Sequence, residues 1–145
     1  MKKVAISACL LGEACRYDAS HNRDNILLEK LKDFELIPFC PEDYAFGSPR
    51  PTMDLVETKA GIKAISNETQ EDLSFAIEDY AKTFFDKHTD IDLFIGKDRS
   101  PSCGVCSARL YDHEKSLLSL NEAGLMAKEA KARDIASVDA EDYKG

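Results

Sequence analysis

Cysteine is the residue type in this chain with the widest choice of chemistry. Five cysteines occur among 145 residues, and Cys9, Cys40 and Cys103 each follow a short apolar run. Thiolates bind zinc, other soft metals and iron–sulfur clusters, and they also act as redox dithiols. Cysteine packs equally well as an inert buried side chain. The chemistry therefore depends on whether these three residues meet in the folded chain.

The spacing of the cysteines leaves several types of site open. Cys103 and Cys106 form a Cys-x-x-Cys pair, whereas Cys9 and Cys15 are six positions apart. Structural zinc sites commonly use two close pairs, so a single pair is weak evidence for zinc and for a thioredoxin-type dithiol. The odd number of cysteines, and the lack of a secretory signal in our reading of the first residues, favour a reducing compartment where structural disulfides are rare.

Length and charge limit the classes of function. A chain of 145 residues favours one domain spanning 1–145. The formal net charge of −8 repels duplex DNA and anionic lipid, although a locally basic pocket can still bind a small nucleic-acid-derived ligand. No apolar segment reaches the about 18 residues of a membrane span. We expect a cytoplasmic protein that binds neither a nucleic-acid duplex nor a membrane, and the sequence does not indicate an oligomeric state.

Apolar periodicity predicts strands that alternate with helices. A hairpin with glycine at its turn is predicted over 54–65. This order is typical of an α/β fold with one mostly parallel sheet, right-handed crossovers and flanking helices. The predicted strands are 4–8, 35–39, 91–96 and 134–138. Two of the predicted helices are 25–32 and 121–132, and a long helix between them is capped by Asn67 or Thr69 and ends near His88.

The predicted topology brings three cysteines together. Cys9 follows the first strand, Cys40 the second, and Cys103 the third strand of the β/α series. If these strands are parallel, the loops that follow them open at one edge of the sheet, where open α/β folds bind ligands. We therefore expect the three thiols to share one crevice.

Polar residues near the cysteines are candidates for the same site. Gly104 has no side chain, so its backbone can approach a ligand closely. Each of the other polar residues near the cysteines is more ordinarily a charged surface residue or a turn residue than a site residue. The three histidines show no ligand spacing with the cysteines, and no nucleotide-phosphate motif follows a strand. The candidates are Arg16, Asp18, Glu42, Arg50, Ser100, Ser102 and Gly104, and the histidines are His21, His88 and His113.

Five short motifs occur together in a fixed order. They are SACLLG at 7–12, CRYD at 15–18, CPE at 40–42, PRP at 49–51 and SPSCG at 100–104. With these motifs the first 110 or so residues resemble the thiouracil desulfidase family, and the last 35 match it only loosely. The joint occurrence of the cysteine motifs makes the resemblance specific.

The resemblance implies a small Rossmann-like domain that holds a 4Fe-4S cluster through three cysteines. By motif position the ligands are Cys9, Cys40 and Cys103, with Cys15 as the alternative to Cys9. The fourth iron is open and takes the sulfur of a thiocarbonyl such as that of 2-thiouracil. Sulfur then leaves as sulfide without net redox change. Glu42 is then the expected general acid or base, assisted by Ser100 or Ser102. The residues expected to hold the substrate are Arg16, Asp18, Arg50 and Gly104.

Departures from the family pattern keep other functions open. Ala19 follows CRYD where the family often has glycine, the usual glycine pair after CPE is replaced by DYAFG, and Cys106 is additional. One alternative is a non-enzymatic zinc or iron–sulfur protein for sensing or delivery. Another is an interaction protein whose cysteines are inert. These departures bear on the identity of the substrate more than on the cluster.

Overall fold

The computed structural model describes residues 2–14 and 16–144. Two four-stranded sheets and four α-helices make up this part of the chain. The predicted α/β class is confirmed, but the strands divide between two sheets and only one of these is entirely parallel. None of the described helices is long and apolar enough to cross a membrane.

The parallel sheet has the strand order β2-β1-β5-β8. Its strands are short and mostly buried, as is usual when helices cover both faces. Alternate residues of β1 face opposite sides, so that Val4 and Ile6 pack in one core and Ala5 packs in the other. The strands are β1 (Lys3–Ser7), β2 (Glu35–Phe39), β5 (Leu93–Gly96) and β8 (Ser137–Asp139).

Helices cover the two faces of the parallel sheet. Helix α1 (Asn25–Lys30) packs on one face through Leu27, and the Asp24 side chain caps it by accepting a 3.0 Å hydrogen bond from Leu27 N–H. Helices α3 (Ser74–Lys87) and α4 (Leu125–Ala132) pack on the other face. Burial of large side chains such as Phe85 contributes about 2 kcal/mol each.

The predicted cap of the long helix is wrong. Neither Asn67 nor Thr69 begins α3, which starts at Ser74. The intervening residues form a turn instead, because the Ser66 hydroxyl accepts the N–H groups of Glu68 and Thr69, and Asn67 N–H donates to Thr52 O.

The second sheet contains the predicted hairpin and two strands that periodicity did not reveal. Its order is β4-β3-β6-β7, with the hairpin strands antiparallel and β3 parallel to β6. The predicted helix 121–132 starts only at Leu125, because residues up to Glu122 pair with β6 instead. The strands are β3 (Met53–Thr58), β4 (Gly61–Ser66), β6 (Ala108–Tyr111) and β7 (Leu117–Glu122), and the short helix before them is α2 (Pro41–Phe46).

Two glycines clamp the segment that carries Cys103. A Cβ on Gly96, at the end of β5, would lie 1.7 Å from the Cys103 carbonyl oxygen. A Cβ on Gly124, just before α4, would lie 2.5 Å from the Ser102 carbonyl carbon. Met126 N–H at the start of α4 donates to Ser102 O at 2.8 Å. Only glycine at both positions allows this backbone to lie where it does.

Replacing these glycines with alanine is expected to destabilise the protein, and the loss should be largest where the added Cβ would lie nearest to a neighbouring atom. Gly96→Ala should lower the free energy of unfolding by about 3 kcal/mol, since backbone must move to admit the methyl group. Gly124→Ala should cost less, and Gly104→Ala, whose Cβ would meet Ser100 O at 3.0 Å, should cost least. Chemical denaturation of the three variants checks this order, and equal losses would contradict it.

Candidate functional site

Cys9, Cys40 and Cys103 line one cavity of about 680 Å³ at the carboxyl edge of the parallel sheet. Cys9 lies in a 3-10 helix, Ala8–Leu11, that follows β1 directly. Cys40 is the N-cap of α2 after β2, and Cys103 lies in the loop after β5. The three strands are adjacent and parallel, so their following residues meet as the topology predicts. Cys15, the alternative ligand, lies outside the described residues.

A hydrogen-bonded chain of serines links the carboxylate to Cys103. The Ser102 hydroxyl donates to Glu42 Oε2 at 2.5 Å and lies 3.5 Å from Cys103 Sγ. Ser100 Oγ lies 3.2 Å from Ser102 Oγ and accepts Cys103 N–H at 3.1 Å. Both predicted serines therefore adjoin Glu42 or Cys103, and all four residues line the cavity.

The site concentrates potential negative charge. Burial raises the pKa of the Cys103 thiol above its ordinary value, and the nearby Cys40 and Glu42 groups raise it further. Hydrogen bonds from Ser102 and Ser7 oppose this rise. Thiolates and a carboxylate in one cavity repel each other as anions, and a bound cationic centre is the usual compensation.

Tyr80 on α3 contacts the backbone of Cys40. Its phenol oxygen accepts Cys40 N–H at 3.2 Å. Burial raises the pKa of Tyr80, so this phenol stays neutral at physiological pH. Sequence analysis missed this contact because Tyr80 falls within the apolar pattern of the helix and looks like a core residue.

Among the described residues, four basic side chains line the cavity, together with the carboxylates of Glu42, Asp54 and Asp98. Arg16 and Arg50 both line it, as predicted, and so do Lys97 and Arg99, which sequence analysis missed. Lys97 Nζ and Arg99 Nη2 each lie 3.0 Å from Asp98 Oδ2. The N–H groups of these side chains can donate to a ligand that carries acceptor oxygens.

Two of the predicted substrate-binding residues do not line the cavity. Asp18 is exposed and accepts hydrogen bonds from the Ser20 backbone N–H and hydroxyl, and the Ser20 contact lowers its pKa. Gly104 is buried, donates its N–H to Ser100 O at 3.0 Å and accepts Gly124 N–H at 2.7 Å. Both residues shape the loops that carry site residues.

Asp139, at the end of β8, anchors the loop that follows Cys103. Its side chain is 2% exposed. Oδ1 accepts Val105 N–H and the Ser107 hydroxyl at 2.8 Å each, and Oδ2 accepts Cys106 N–H at 2.9 Å. The sequence motifs did not reveal Asp139. It directly follows the predicted strand 134–138, however, and in this topology residues that follow a parallel strand are expected near the ligand site.

Cys106 and the histidines lie away from the cavity lining. Cys106 is exposed, with Lys131 Nζ 3.7 Å from its sulfur. His21 accepts Arg23 N–H, His88 packs against Phe84, and His113 is exposed. His21 and His113 are exposed, as the sequence predicts, whereas His88 is only partly exposed.

The donor set of the cavity consists of thiols, which are the ligands of iron–sulfur clusters. Among the described residues, no three Cys, His, Asp or Glu side chains converge closely enough to hold one metal ion. A 4Fe-4S cluster is bound by thiolates at separate irons, so its ligands need not converge on one point. Three cysteines around a cavity of this size match that requirement.

Comparison with known proteins decides the family. A model of the 2-thiouracil desulfurase family matches residues 4–142. The chain belongs to this family. Uncharacterized protein YbbK of Bacillus subtilis (strain 168) is 27% identical over 132 residues, which cover 86% of each chain. A solved structure, the 4Fe-4S-dependent thiouracil desulfidase TudS, superposes with a TM-score of 0.75 at 25% identity, over 96% of this chain and 91% of that one.

The comparisons confirm the family resemblance read from the motifs. The match extends through the last 35 residues, which the motifs covered only loosely. This part of the desulfurase chain supplies Gly124 and Asp139, both of which contact the Cys103 loop.

Loss of the Asp139 carboxylate is expected to release the Cys103 loop. Asp139→Ala leaves two backbone N–H groups and one hydroxyl without an acceptor and should lower the free energy of unfolding by about 3 kcal/mol. Asp139→Asn keeps one acceptor oxygen and should cost less. The exposed Asp142→Ala is the control and should change stability by less than about 0.5 kcal/mol. Denaturant titration checks the series, and a neutral Asp139→Ala would contradict the anchoring role.

Proposed function

We propose that the protein is an iron–sulfur-dependent desulfidase that removes sulfur from thiolated nucleobases as sulfide by hydrolysis. The observation that carries the proposal is the placement of three cysteines in one cavity with the hydrogen-bonded Glu42–Ser102 pair. The reaction consumes one water and exchanges a C=S bond for a C=O bond, so that no electron donor or acceptor is needed.

Cys9, Cys40 and Cys103 are the proposed cluster ligands, with Cys15 as the alternative to Cys9. Cys9 and Cys103 are buried, whereas Cys40 is partly exposed. When bound, a 4Fe-4S cluster with three cysteine ligands supplies a Lewis-acidic iron for the substrate sulfur and makes the thiocarbonyl carbon more electrophilic. The three cysteines of this cavity provide the sulfur donors that such a cluster requires.

Glu42 is the proposed general base. Its Oε2 accepts the Ser102 hydroxyl, and its Oε1 lies 3.5 Å from Arg50 Nε, so the carboxylate is held on both sides. Held in this way, Glu42 takes a proton from the water that attacks the thiocarbonyl carbon. It can return this proton to the ring nitrogen or to the departing sulfur. Ser102 orients the carboxylate, and Ser100 in turn holds Ser102 and the Cys103 backbone.

The proposed substrate is a small heterocycle held by the arginines of the cavity. Arg16 and Arg50 line the cavity, with Arg50 beside Glu42, and supply donors for ring oxygens. Asp18 and Gly104 act indirectly, by shaping the two loops beside Arg16 and Cys103. The chain's charge of −8 favours a free small molecule over a nucleic-acid duplex.

Replacement of Cys40 tests the cluster assignment. Cys40→Ala, reconstituted and purified without oxygen, should bind less iron than the wild type and release no sulfide from 2-thiouracil. Cys106→Ser is the matched control, because Cys106 is exposed and absent from the cavity lining, and it should keep both iron and turnover. Full iron content and turnover in Cys40→Ala would exclude this ligand set. A wild type that binds metal but turns over no thiolated base would favour the sensing or delivery alternative.

Replacement of Glu42 separates catalysis from cluster binding. Glu42→Gln keeps the shape and the acceptor for Ser102 but cannot take a proton, so kcat should fall by about 10²- to 10⁴-fold. Iron content should stay at the wild-type level. Glu57→Gln, an exposed position in β3, is the control for loss of one charge and should leave kcat unchanged. Sulfide release measured at saturating 2-thiouracil checks the effect, and an unchanged kcat would remove Glu42 from the mechanism.

A further inference from the structure

Asn22 contacts a proposed cluster ligand through both its side chain and its backbone. Its amide Nδ2 donates to Cys9 Sγ at 3.9 Å, and its backbone N–H donates to Cys9 O at 2.9 Å. Asn22 is partly buried and lines the same cavity as Cys9, Cys40 and Cys103. The side-chain contact is long because sulfur is a large atom and a thiol is a weak acceptor. Neither the cysteine motifs nor the proposed mechanism assigns a role to this amide.

The position of Asn22 is fixed by the main chain. Cys9 O accepts Gly12 N–H at 3.2 Å as well as the N–H of Asn22, and Leu10 O accepts Asp24 N–H at 3.0 Å. These hydrogen bonds tie both ends of the loop that follows the 3-10 helix to the helix itself. Because they involve backbone atoms only, they persist when the Asn22 side chain is changed. A substitution at this position therefore tests the amide group rather than the path of the loop.

The amide of Asn22 suits a deprotonated Cys9 better than a neutral one. Cysteine binds iron as the thiolate, and a hydrogen bond to an anion is shorter and about twice as strong as one between neutral groups. An amide does not titrate at physiological pH, so its N–H remains a donor after Cys9 has lost its proton. The hydroxyl beside Cys103 differs, because Ser102 gives its proton to Glu42. Asn22 thus supplies a permanent donor to one proposed cluster ligand.

We propose that Asn22 is a positioning residue that holds the Cys9 sulfur by a hydrogen bond and raises the reduction potential of the bound cluster. The proposal rests on the proposed ligation of the cluster by Cys9. Partners outside the ligand set commonly orient metal ligands, and hydrogen bonds to the sulfurs are one of the factors that set a cluster's potential. A donor that stabilises negative charge on the thiolate makes the cluster harder to oxidise. Asn22 therefore protects a cluster that only three cysteines hold.

The reduction potential of the reconstituted protein tests this contact without any catalytic step. Asn22→Leu keeps the size of the side chain but has no donor, so an anaerobic redox titration should give a more negative midpoint potential than in the wild type. Its iron should be lost in air at least about threefold faster. Asn22→Gln keeps an amide and should recover part of both changes. Asn67→Leu is the matched control, because Asn67 lines the same cavity but its amide donates to Thr52 Oγ1 at 3.0 Å. This control should keep the wild-type potential.

The outcomes separate this inference from the function on which it rests. A wild-type potential in Asn22→Leu would overturn the inference while leaving the desulfidase function in place. Equal shifts in Asn22→Leu and Asn67→Leu would also overturn it, since the cause would then be a less polar cavity wall rather than the contact with Cys9. If Asn22→Leu fails to fold, Asn22→Asp has the size of the native side chain without its N–H donors and gives the same comparison. A wild type that binds no iron would overturn both the inference and the proposed cluster.

Discussion

The meeting of three cysteines and one carboxylate in a single cavity is the constraint to which the rest of the structure is fitted. The parallel order of β2, β1 and β5 brings Cys40, Cys9 and Cys103 to the same edge, together with Glu42. Desolvation and the neighbouring groups make the anionic form of Cys103 unfavourable in the protein alone. A cationic centre that these sulfurs can share relieves that cost, which is why the arrangement fits a bound iron–sulfur cluster.

The second half of the chain holds the Cys103 loop in place. Gly96 and Gly124 allow the Ser102–Cys103 backbone to lie against the end of β5 and the start of α4. Asp139 fixes the other side of the loop with three hydrogen bonds. Packing on both sides leaves the Cys103 side chain little freedom, and a rigid position for each ligand is what a metal site needs.

The sequence predicted the first three parallel strands and the meeting of the cysteines well, whereas the strand predicted over 134–138 is observed at Ser137–Asp139. Strands such as Glu35–Phe39 are short apolar runs, and their order alone places the residues that follow them at one edge. It predicted β6 and β7 poorly. Leu117, Leu118 and Leu120 are all about half exposed in an edge strand, so the segment has no clean alternation. The role of Asp139 depends on contacts between distant segments, and local pattern carries no information about such contacts.

The central claim is that the three cysteines hold a 4Fe-4S cluster, and quantification of metal and sulfide in anaerobically reconstituted protein tests it most directly. The account predicts a brown protein with a broad absorption band near about 400 nm and about four irons and four sulfides per chain. One zinc per chain with no iron, or a colourless protein after reconstitution, would contradict it.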